Sequence, residues 1–261
     1  MKKIFLLALT IIISCKNAEK KTTEKTEKPV KLHVLDGGSI LVNKLEVFSQ
    51  DTTYTGQSKQ FSDAYVISHP KGNLMWDAGL PEALEPFTEP GTFTLQRKDS
   101  LKNQLKSIGL TDFKYFSHPH FDHTGHANYK ATWLQENEYN FTDSAKVKPD
   151  TYNSIKELKN VKINGDHDVF GDGTVVIKYM PGHTIGHQAL YEAGLEKPIL
   201  LTGDLYHFEE NRETKGPSFN YVEQTLESMK KFEAFAKEKN AEVIIQHSPK
   251  DFKKLQNLLK K

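Results

Sequence analysis

Apolar residues recur along the chain in short runs rich in β-branched and aromatic side chains, and these runs predict a protein built mainly of strands. Residues 32–47 alternate loosely between apolar and polar, and the turn signal Asp36-Gly37-Gly38 divides them into two predicted strands. The other predicted strands cover residues 61–67, 73–76, 113–117, 131–134, 161–163, 175–179, 188–191, 199–201 and 243–245. Since no internal repeat and no second linker appear, we expect one domain from Val30 onward.

Helical periodicity interrupts this strand pattern at a few places. Asp99-Ser100 precedes apolar residues at helical spacing, and Gly109 supplies a stop for that helix. A longer amphipathic helix is predicted from one apolar face, made by Val222, Leu226, Met229, Phe232 and Ala236. Shorter helices are predicted at residues 136–141 and 252–259. Two packed sheets with helices on the outside satisfy this mixed α/β (α+β) pattern.

Residues 81–97 are rich in Pro, Glu, Phe and Thr and show no clear period. They predict a long loop, and long loops in compact domains are often lids over a site. The side chains of Phe87, Phe93 and Leu95 are candidates for lining an apolar pocket, with ordinary packing as the alternative.

The charges are nearly balanced, with 35 Lys and Arg against 34 Asp and Glu and a formal net charge of +1. This balance argues against an electrostatic nucleic-acid binder, which would carry a basic surplus. Cys15 is the single cysteine of the chain. A mature domain beginning after it has neither disulfides nor thiolate metal ligands.

The N-terminus has the organisation of a secretory signal. A basic head at residues 1–3 precedes an apolar run at residues 4–13, which is too short to span a bilayer as a mature helix. The ending Ile12-Ile13-Ser14-Cys15 resembles the lipobox of bacterial lipoproteins, in which the cysteine is lipidated and becomes the new N-terminus. Ordinary signal-peptidase cleavage, with Cys15 incidental, is the alternative.

These features predict three segments. Residues 1–15 are expected to be the signal peptide, residues 16–29 a flexible polar tether, and residues 30–261 the folded domain. The expected location is the periplasm, the outer membrane or the cell surface for a lipoprotein, or the medium for a secreted protein.

One stretch concentrates the candidate chemistry, His118-x-His120-x-Asp122-His123. A strand that delivers His118 and His120 at alternate positions points both rings the same way, and a turn then brings the other two side chains to the same point. Imidazole nitrogen and carboxylate oxygen are ligands that Zn²⁺ accepts. Four ligands crowded this closely rarely all serve one tetrahedral ion, so the spacing indicates two metals side by side. A histidine-rich surface loop is the alternative.

Three more candidate ligands, His183, Asp204 and His247, each follow an apolar run. Binding residues concentrate on loops held by a rigid scaffold, so we expect these residues to complete the site. Asp77 also ends a predicted strand, and is either a turn residue or an acceptor that orients a metal-binding histidine. His187 is expected to have a structural or supporting role.

Together these residues resemble the metallo-β-lactamase superfamily from Val30 to the C-terminus. Asp77-Ala78-Gly79 and Pro181-Gly182-His183 add to the likeness. The resemblance implies the four-layer αββα sandwich, with metals in a groove at one edge of the sheets. It also implies one zinc ion held by His118, His120 and His183, a second held by Asp122, His123 and His247, and a bridge between them by Asp204.

Within that superfamily, residues 117–125, 182–187 and 202–206 most resemble N-acyl-homoserine lactonases, particularly exported ones. His120 argues against the flavodiiron branch, and Asp204 argues against true β-lactamases. The extensions of the processing nucleases and of glyoxalase II-type thioesterases are absent from the sequence. The lactonases open the lactone ring of bacterial quorum-sensing signals.

The resemblance implies attack by a hydroxide shared between two zinc ions, with Asp122 passing a proton to the leaving group. It also implies a tyrosine, shortly after Asp204, that binds the substrate carbonyl. Tyr206 is the candidate, with His207 beside it, and packing of Tyr206 under a loop is the alternative. The expected partners are a small lactone with an acyl chain, no nucleic acid, and a membrane only through a lipid on Cys15. Other readings are an exported hydrolase of another ester, thioester or phosphoester, and a zinc-capturing lipoprotein.

Overall fold

The computed structural model describes residues 30–48, 56, 58–81, 91–110, 114–116, 119–125, 132–142, 160–214, 216 and 221–260. The predicted signal peptide and tether, residues 1–29, lie outside this part of the chain and remain predictions. Within the described residues, every helix falls short of the length or the apolar character that crossing a membrane requires.

Strands and helices follow one another along the described chain largely as predicted. The strands are β1 (Lys31–Val42), β2 (Ser58–His69), β3 (Gly72–Ala78), β4 (Phe93–Gln96), β5 (Lys114–Phe116), β6 (Thr132–Gln135), β7 (Asn160–Ile163), β8 (His167–Asp168), β9 (Val175–Tyr179), β10 (Gln188–Glu192), β11 (Ile199–Leu201) and β12 (Glu242–Ile244). The helices are α1 (Leu101–Ser107), α2 (Glu136–Thr142), α3 (Glu209–Thr214), α4 (Val222–Glu238) and α5 (Pro249–Leu258). Short 3₁₀ turns cover Leu45–Phe48 and Gly203–Leu205.

The strands form two sheets. The larger sheet has the order β4-β1-β2-β3-β5-β6-β7, and the smaller has the order β12-β11-β10-β9-β8. In the larger sheet β4, β1, β2 and β3 pair antiparallel, while β3, β5, β6 and β7 pair in parallel. In the smaller sheet β11 and β12 are parallel, and the other pairs are antiparallel.

The alternation of side chains along β2 shows how the layers stack. Tyr65 and Ile67 enter the core between the two sheets, which includes Ile177 of the smaller sheet. Val66, between them in sequence, belongs to a second core on the outer face of the larger sheet, with Leu101 of α1. Successive side chains of a strand point to opposite faces, so one strand serves both cores.

The smaller sheet repeats this arrangement on its own outer face. Leu200 and Val243 pack in a core with Met229 and Phe232, which belong to the predicted apolar face of α4. The order of layers is therefore helix, sheet, sheet and helix, which confirms the expected αββα sandwich. Complete burial of an aromatic side chain such as Phe232 contributes about 2–3 kcal/mol to this packing.

Two helices begin at serine caps. Ser100 Oγ accepts the Asn103 N–H at 3.2 Å, which confirms the predicted start of α1. Ser248 Oγ accepts the Asp251 N–H at 3.1 Å, and Pro249 occupies the first turn of α5. Since His247 directly precedes Ser248, this cap also fixes the end of the segment that carries a candidate ligand.

Two of the predictions were wrong. Residues 32–42 belong to one long strand, β1, because a register shift between Asp36 and Ser39 absorbs the Gly37-Gly38 pair without reversing the chain. Residues 93–96 of the predicted loop form β4, because β1 offers an edge with which they pair. Phe93 and Leu95 therefore lie on an edge strand. Phe87 lies outside the described residues.

Candidate metal centre

The ligand candidates of the smaller sheet come together because their strands run in the same direction. β11 and β12 pair in parallel, so Asp204 and His247 follow them at the same edge. β9 and β11 are both antiparallel to β10, so β9 also ends at this edge and leads to His183. Ligands of open α/β sheets commonly bind outside such carboxyl ends of strands.

The larger sheet contributes the turn after β5, which carries His120, Asp122 and His123. The backbone N–H of Ala78, at the end of β3, donates to the His123 carbonyl at 2.8 Å and holds this turn against the sheet. His118 precedes the turn and lies outside the described residues, so its role as a ligand remains a prediction.

Two groups of side chains form where these segments meet. In each group, one imidazole nitrogen or carboxylate oxygen per residue lies within 4.8 Å of the others. The first group is His120, His183 and Asp204, and the second is Asp122, His123 and His247. In the first, His183 Nε2 lies 2.9 Å from His120 Nδ1 and 3.1 Å from Asp204 Oδ2. Each group therefore combines residues from both sheets.

The Asp204 carboxylate lies between the two groups. Its Oδ2 faces His183, while its Oδ1 lies 3.1 Å from His123 Nε2 and 2.9 Å from His247 Nε2. A carboxylate with one oxygen directed to each group has the geometry that a bridging ligand requires. The bridging role that the sequence resemblance implied for Asp204 remains a prediction.

Asp77 contacts the His123 ring at Nδ1, the nitrogen on the other side of the ring from Asp204. Its Oδ1 lies 3.1 Å from His123 Nδ1, and its Oδ2 accepts a hydrogen bond from the Gln246 amide. The Gln246 oxygen accepts the Trp76 indole N–H at 3.0 Å and the Gly203 N–H at 2.8 Å. Of the two readings of Asp77, the orienting acceptor is therefore the one that the structure supports.

His187 belongs to neither group. Its ring lies 2.8 Å, through Nδ1, from the Met180 carbonyl, so Nδ1–H donates and Nε2 is left as an acceptor. Burial, with the neighbouring His183, lowers the pKa of His187 to about 3. This neutral, buried imidazole has the structural role that the sequence predicted.

Tyr206 points toward α4. The side chain is 1% exposed, its ring meets the Phe232 ring edge-on at 5.8 Å, and its hydroxyl donates to Glu233 Oε1 at 3.0 Å. These contacts disagree with the predicted contact between Tyr206 and a substrate carbonyl, because they hold the hydroxyl among residues of the helix.

His207 lies beside the ligand groups instead. Its Nε2 is 3.7 Å from Asp204 Oδ2, and its ring centroid is 4.9 Å from that of His183. The His207 and His247 rings are parallel at 6.0 Å. Burial lowers the pKa of His207 well below its usual value, which favours the neutral ring. From the sequence, His207 was noted as the neighbour of Tyr206 and was given no role of its own.

An apolar wall adjoins His207. The Phe48 ring lies 4.5 Å from the His207 ring and 6.0 Å from Phe93, which in turn lies 6.4 Å from Phe121. Phe121 belongs to the ligand-bearing turn, so this wall of three aromatic rings begins at the metal groups. Phe48 carries no signal in the sequence beyond its place at the end of an alternating run.

Burial lowers the pKa of the candidate ligand histidines, and neighbouring carboxylates raise it. Burial, reinforced by His183, lowers the pKa of His120 to about 3. At His247 burial also acts to lower the pKa, but the Asp204 carboxylate outweighs it and the pKa rises to about 9. The raised pKa of His247 favours its protonated form. A metal ion that binds the second group must therefore displace that proton.

The donors present fit a metal centre. Imidazole nitrogens and carboxylate oxygens suit Zn²⁺ and related divalent ions, and most of the ligand side chains are buried. The sequence also matches the family model of the metallo-beta-lactamase superfamily over residues 59–247. The chain belongs to this superfamily. The matched range contains both ligand groups and confirms the resemblance seen in the sequence.

Relatives within the metallo-beta-lactamase superfamily include named enzymes. The chain is 32% identical over 220 residues to the N-acyl homoserine lactonase AttM of Agrobacterium fabrum, covering 71% of this chain and 81% of that protein. It is 28% identical over 204 residues to the N-acyl homoserine lactonase AiiA of Bacillus thuringiensis subsp. kurstaki, covering 70% and 79%. The expectation that the chain is a metal-dependent hydrolase is confirmed.

Solved structures share the superfamily fold. One is an N-acyl homoserine lactone hydrolase with the product N-hexanoyl-L-homoserine bound at its catalytic metal center, with a TM-score of 0.74, 24% identity, and coverage of 87% of this chain and 97% of that chain. Another is AidC, a dizinc quorum-quenching lactonase, with a TM-score of 0.64, 18% identity, and coverage of 85% and 90%. At these identities the likeness establishes the fold.

Proposed function

We propose that the protein is a lactonase that opens the ring of N-acyl-homoserine lactones with two zinc ions, one in each ligand group. The observation that carries this proposal is the Asp204 carboxylate, which directs one oxygen to each group. Two further findings support the substrate class. Relatives at 28–32% identity are named for this activity, and a protein of the same fold holds an acyl-homoserine product at its metal center.

The zinc ions would supply Lewis acidity, which lowers the pKa of water toward neutrality and polarises the lactone carbonyl. The residues of the chain set the geometry. Asp204 fixes the separation of the groups, Asp77 orients His123, and Gln246 links Asp77 to the turn before Asp204. A rigid site of this kind accelerates reaction by holding its parts in place before the substrate arrives.

Asp122 is assigned the proton transfer to the leaving group. Its Oδ2 lies 3.6 Å from His123 Nε2 and 3.7 Å from His247 Nε2, and the residue is 8% exposed. Hydrolysis adds water across the ester bond, so the acyl carbon gains an oxygen and the ring oxygen needs a proton when the C–O bond breaks. The attacking water releases one proton as its oxygen bonds to the acyl carbon, and the Asp122 carboxylate is placed to take that proton and pass it to the ring oxygen.

His207 is assigned the contact with the lactone carbonyl that the sequence gave to Tyr206. A neutral imidazole with its proton on Nε2 donates one hydrogen bond toward the first group, where Nε2 already lies 3.7 Å from Asp204 Oδ2. Such a donor stabilises the charge that develops on the carbonyl oxygen. The aromatic wall of Phe48, Phe93 and Phe121 next to it provides apolar surface for the acyl chain.

Export with a lipid on Cys15 is also part of the proposal. Its support is the sequence of residues 1–15, with a basic head, an apolar run and a lipobox-like ending. Residues 16–29 would then act as a spacer between the lipid and the enzyme.

The test is turnover of a panel of N-acyl-homoserine lactones, thioesters and phosphodiesters by the purified chain, before and after chelation, together with metal analysis. We expect lactone hydrolysis that is lost on chelation, is restored by zinc, and accompanies two ions per chain.

Asp204→Ala should lose both ions, because one carboxylate serves both groups. Asp172→Ala, which removes an exposed carboxylate paired with Lys71, is the control. Higher kcat/KM on a thioester or phosphodiester would contradict the substrate class, and full activity with one ion would contradict the two-metal site.

A further inference from the structure

Three polar side chains at the junction of β6 and α2 reach from the larger sheet to the loop that follows His183. We call Gln135, Asn137 and Glu138 the β6–α2 clamp. The loop, residues 181–187, belongs to the smaller sheet, because it connects β9 with β10. The clamp therefore joins the two sheets on the side of the first ligand group.

Of the two amide members of the clamp, Asn137 binds the loop and Gln135 binds the first residue of β10, which follows the loop. Asn137 Nδ2 donates to the Ile185 carbonyl at 2.8 Å and to the Tyr179 hydroxyl at 2.8 Å. Gln135 Nε2 donates to Gln188 Oε1 at 3.0 Å, and both of these glutamines are 1% exposed. Hydrogen bonds between buried partners are held in one arrangement, because breaking one leaves a buried polar group unsatisfied.

Glu138 is the charged member of the clamp and is 1% exposed. Its Oε2 accepts the Gly186 N–H at 2.6 Å, and its Oε1 is buried without a hydrogen-bond partner among the described residues. Burial raises the pKa of Glu138, while the Thr184 hydroxyl, the Gly186 amide and the nearby His183 act against that rise. Burying the Glu138 carboxyl costs free energy of folding, so a role other than stabilising the fold is expected of it.

The loop and α2 are in close contact at Gly186. A Cβ atom on this glycine would lie 2.3 Å from the Glu138 Cβ and 2.8 Å from its Oε2. No larger residue fits without moving the loop away from the helix. The position of the loop is thus defined by steric contact as well as by hydrogen bonds.

The clamp bears on the first ligand group. His183 lies in the clamped loop, and it must meet His120, which the larger sheet supplies. The second group takes His247 from the segment after β12, and the loop reaches that group through His187 and Asp204. A shift of the loop would therefore change the first group directly and the second group less.

We propose that Glu138 is a positioning residue that holds the His183 loop against the larger sheet and thereby sets the metal affinity of the first group. The inference rests on the proposed occupancy of both groups by metal ions. Partners that orient metal ligands typically change metal affinity by about 10- to 100-fold when removed.

The test is a titration of the metal-free protein with Co²⁺ against a competing chelator, with each bound ion followed by its absorption spectrum. Wild-type protein should bind two ions. Glu138→Ala should bind one ion about 10- to 100-fold more weakly, with a smaller loss of affinity for the other. Glu138→Gln keeps an acceptor for the Gly186 N–H at nearly the same volume and should recover most of that loss.

The matched control is Glu136→Ala, on the same helix, whose carboxylate is half-buried and accepts from the Asn164 amide. Its affinity for both ions should stay at the wild-type value.

Unchanged affinity in Glu138→Ala, equal weakening of both ions, or no recovery in Glu138→Gln would overturn the inference. If Glu138→Ala does not fold, Asn137→Ala should weaken the same ion by a smaller factor, and unchanged binding of that ion in Asn137→Ala would also overturn the inference. A wild-type protein that holds one ion would instead contradict the proposed function.

Discussion

The backbone N–H of Asp204 donates a hydrogen bond to Nε2 of the His187 imidazole at 2.8 Å. Nδ1 of the same ring is engaged with the Met180 carbonyl, so the tautomer is defined and Nε2 is available as the acceptor. Gly203, with φ of +55°, makes room for this contact, because a Cβ there would lie 2.6 Å from Nε2. A neutral histidine therefore orients Asp204, the proposed bridging residue, by accepting a hydrogen bond from the Asp204 backbone.

Replacing His187 with alanine should lower both stability and metal affinity. The Asp204 N–H would lose its acceptor in a buried site, at a cost of about 1–3 kcal/mol in the free energy of unfolding. Both ions should bind more weakly, because Asp204 faces both groups. Urea unfolding of the metal-free protein and a metal titration measure the two effects. His33→Ala, at a half-buried histidine on β1, is the control; equal behaviour of the two variants would refute the role of His187.

Tyr206 and His207 should respond differently to substitution. Tyr206→Phe removes the hydrogen bond to Glu233, which still accepts from Arg212, and should reduce stability by about 0.5–1.5 kcal/mol, with turnover within about twofold of wild type. His207→Ala should reduce kcat on lactones by about 10- to 100-fold while both metal ions remain bound. Steady-state kinetics, metal analysis and thermal unfolding separate these outcomes. A large loss of kcat in Tyr206→Phe, with His207→Ala unaffected, would restore the original assignment to Tyr206.

Glu192 should make stability depend on pH. The side chain is 1% exposed, and burial raises its pKa from 4.5 to about 7, against the opposing Gly194 amide. The folded state then binds the proton more tightly than the unfolded state, so stability falls as the pH rises from about 4.5 to about 7. The expected loss is roughly 1–3 kcal/mol.

Glu192→Gln should remove this pH dependence and should be more stable than wild type above pH ~7. Denaturant unfolding at several pH values measures the effect on the metal-free protein, so that metal binding does not contribute. Glu196→Gln, at an exposed position nearby, is the control and should follow the wild-type curve. A stability difference between Glu192→Gln and wild type that is the same at every pH would show that the Glu192 carboxyl does not titrate as described.

A lipid on Cys15 is the prediction for the N-terminus. Cells that express the full chain with labelled palmitate should yield labelled protein, and Cys15→Ala should abolish the label because the chain has no other cysteine. Ser14→Ala, which keeps a small residue before the cysteine, is the control and should remain labelled. A mature protein whose sequenced N-terminus is a residue other than 15 would support ordinary signal-peptidase cleavage.

The positions of the candidate ligands could be predicted because they depend on local sequence. His183, Asp204 and His247 each follow an apolar run rich in β-branched residues, which predicts a strand, and residues at strand ends share an edge when the strands run in the same direction. The period of the apolar residues likewise predicted α4, and the Asp99-Ser100 cap predicted the start of α1. Residue type and spacing sufficed for these features.

Other features depend on contacts between distant segments. Whether residues 93–96 form a loop or a strand was decided by the free edge of β1, which lies about fifty residues earlier in the chain. The directions of the Tyr206 and His207 side chains depend on the 3₁₀ turn at Gly203–Leu205, which is held by Gln246 after β12 and His187 before β10. By itself the sequence determined which residues could bind metal and that they stand at strand ends. The tertiary structure alone decided which side chains face the metal groups, because the direction of a side chain after a turn depends on the neighbours that hold the turn.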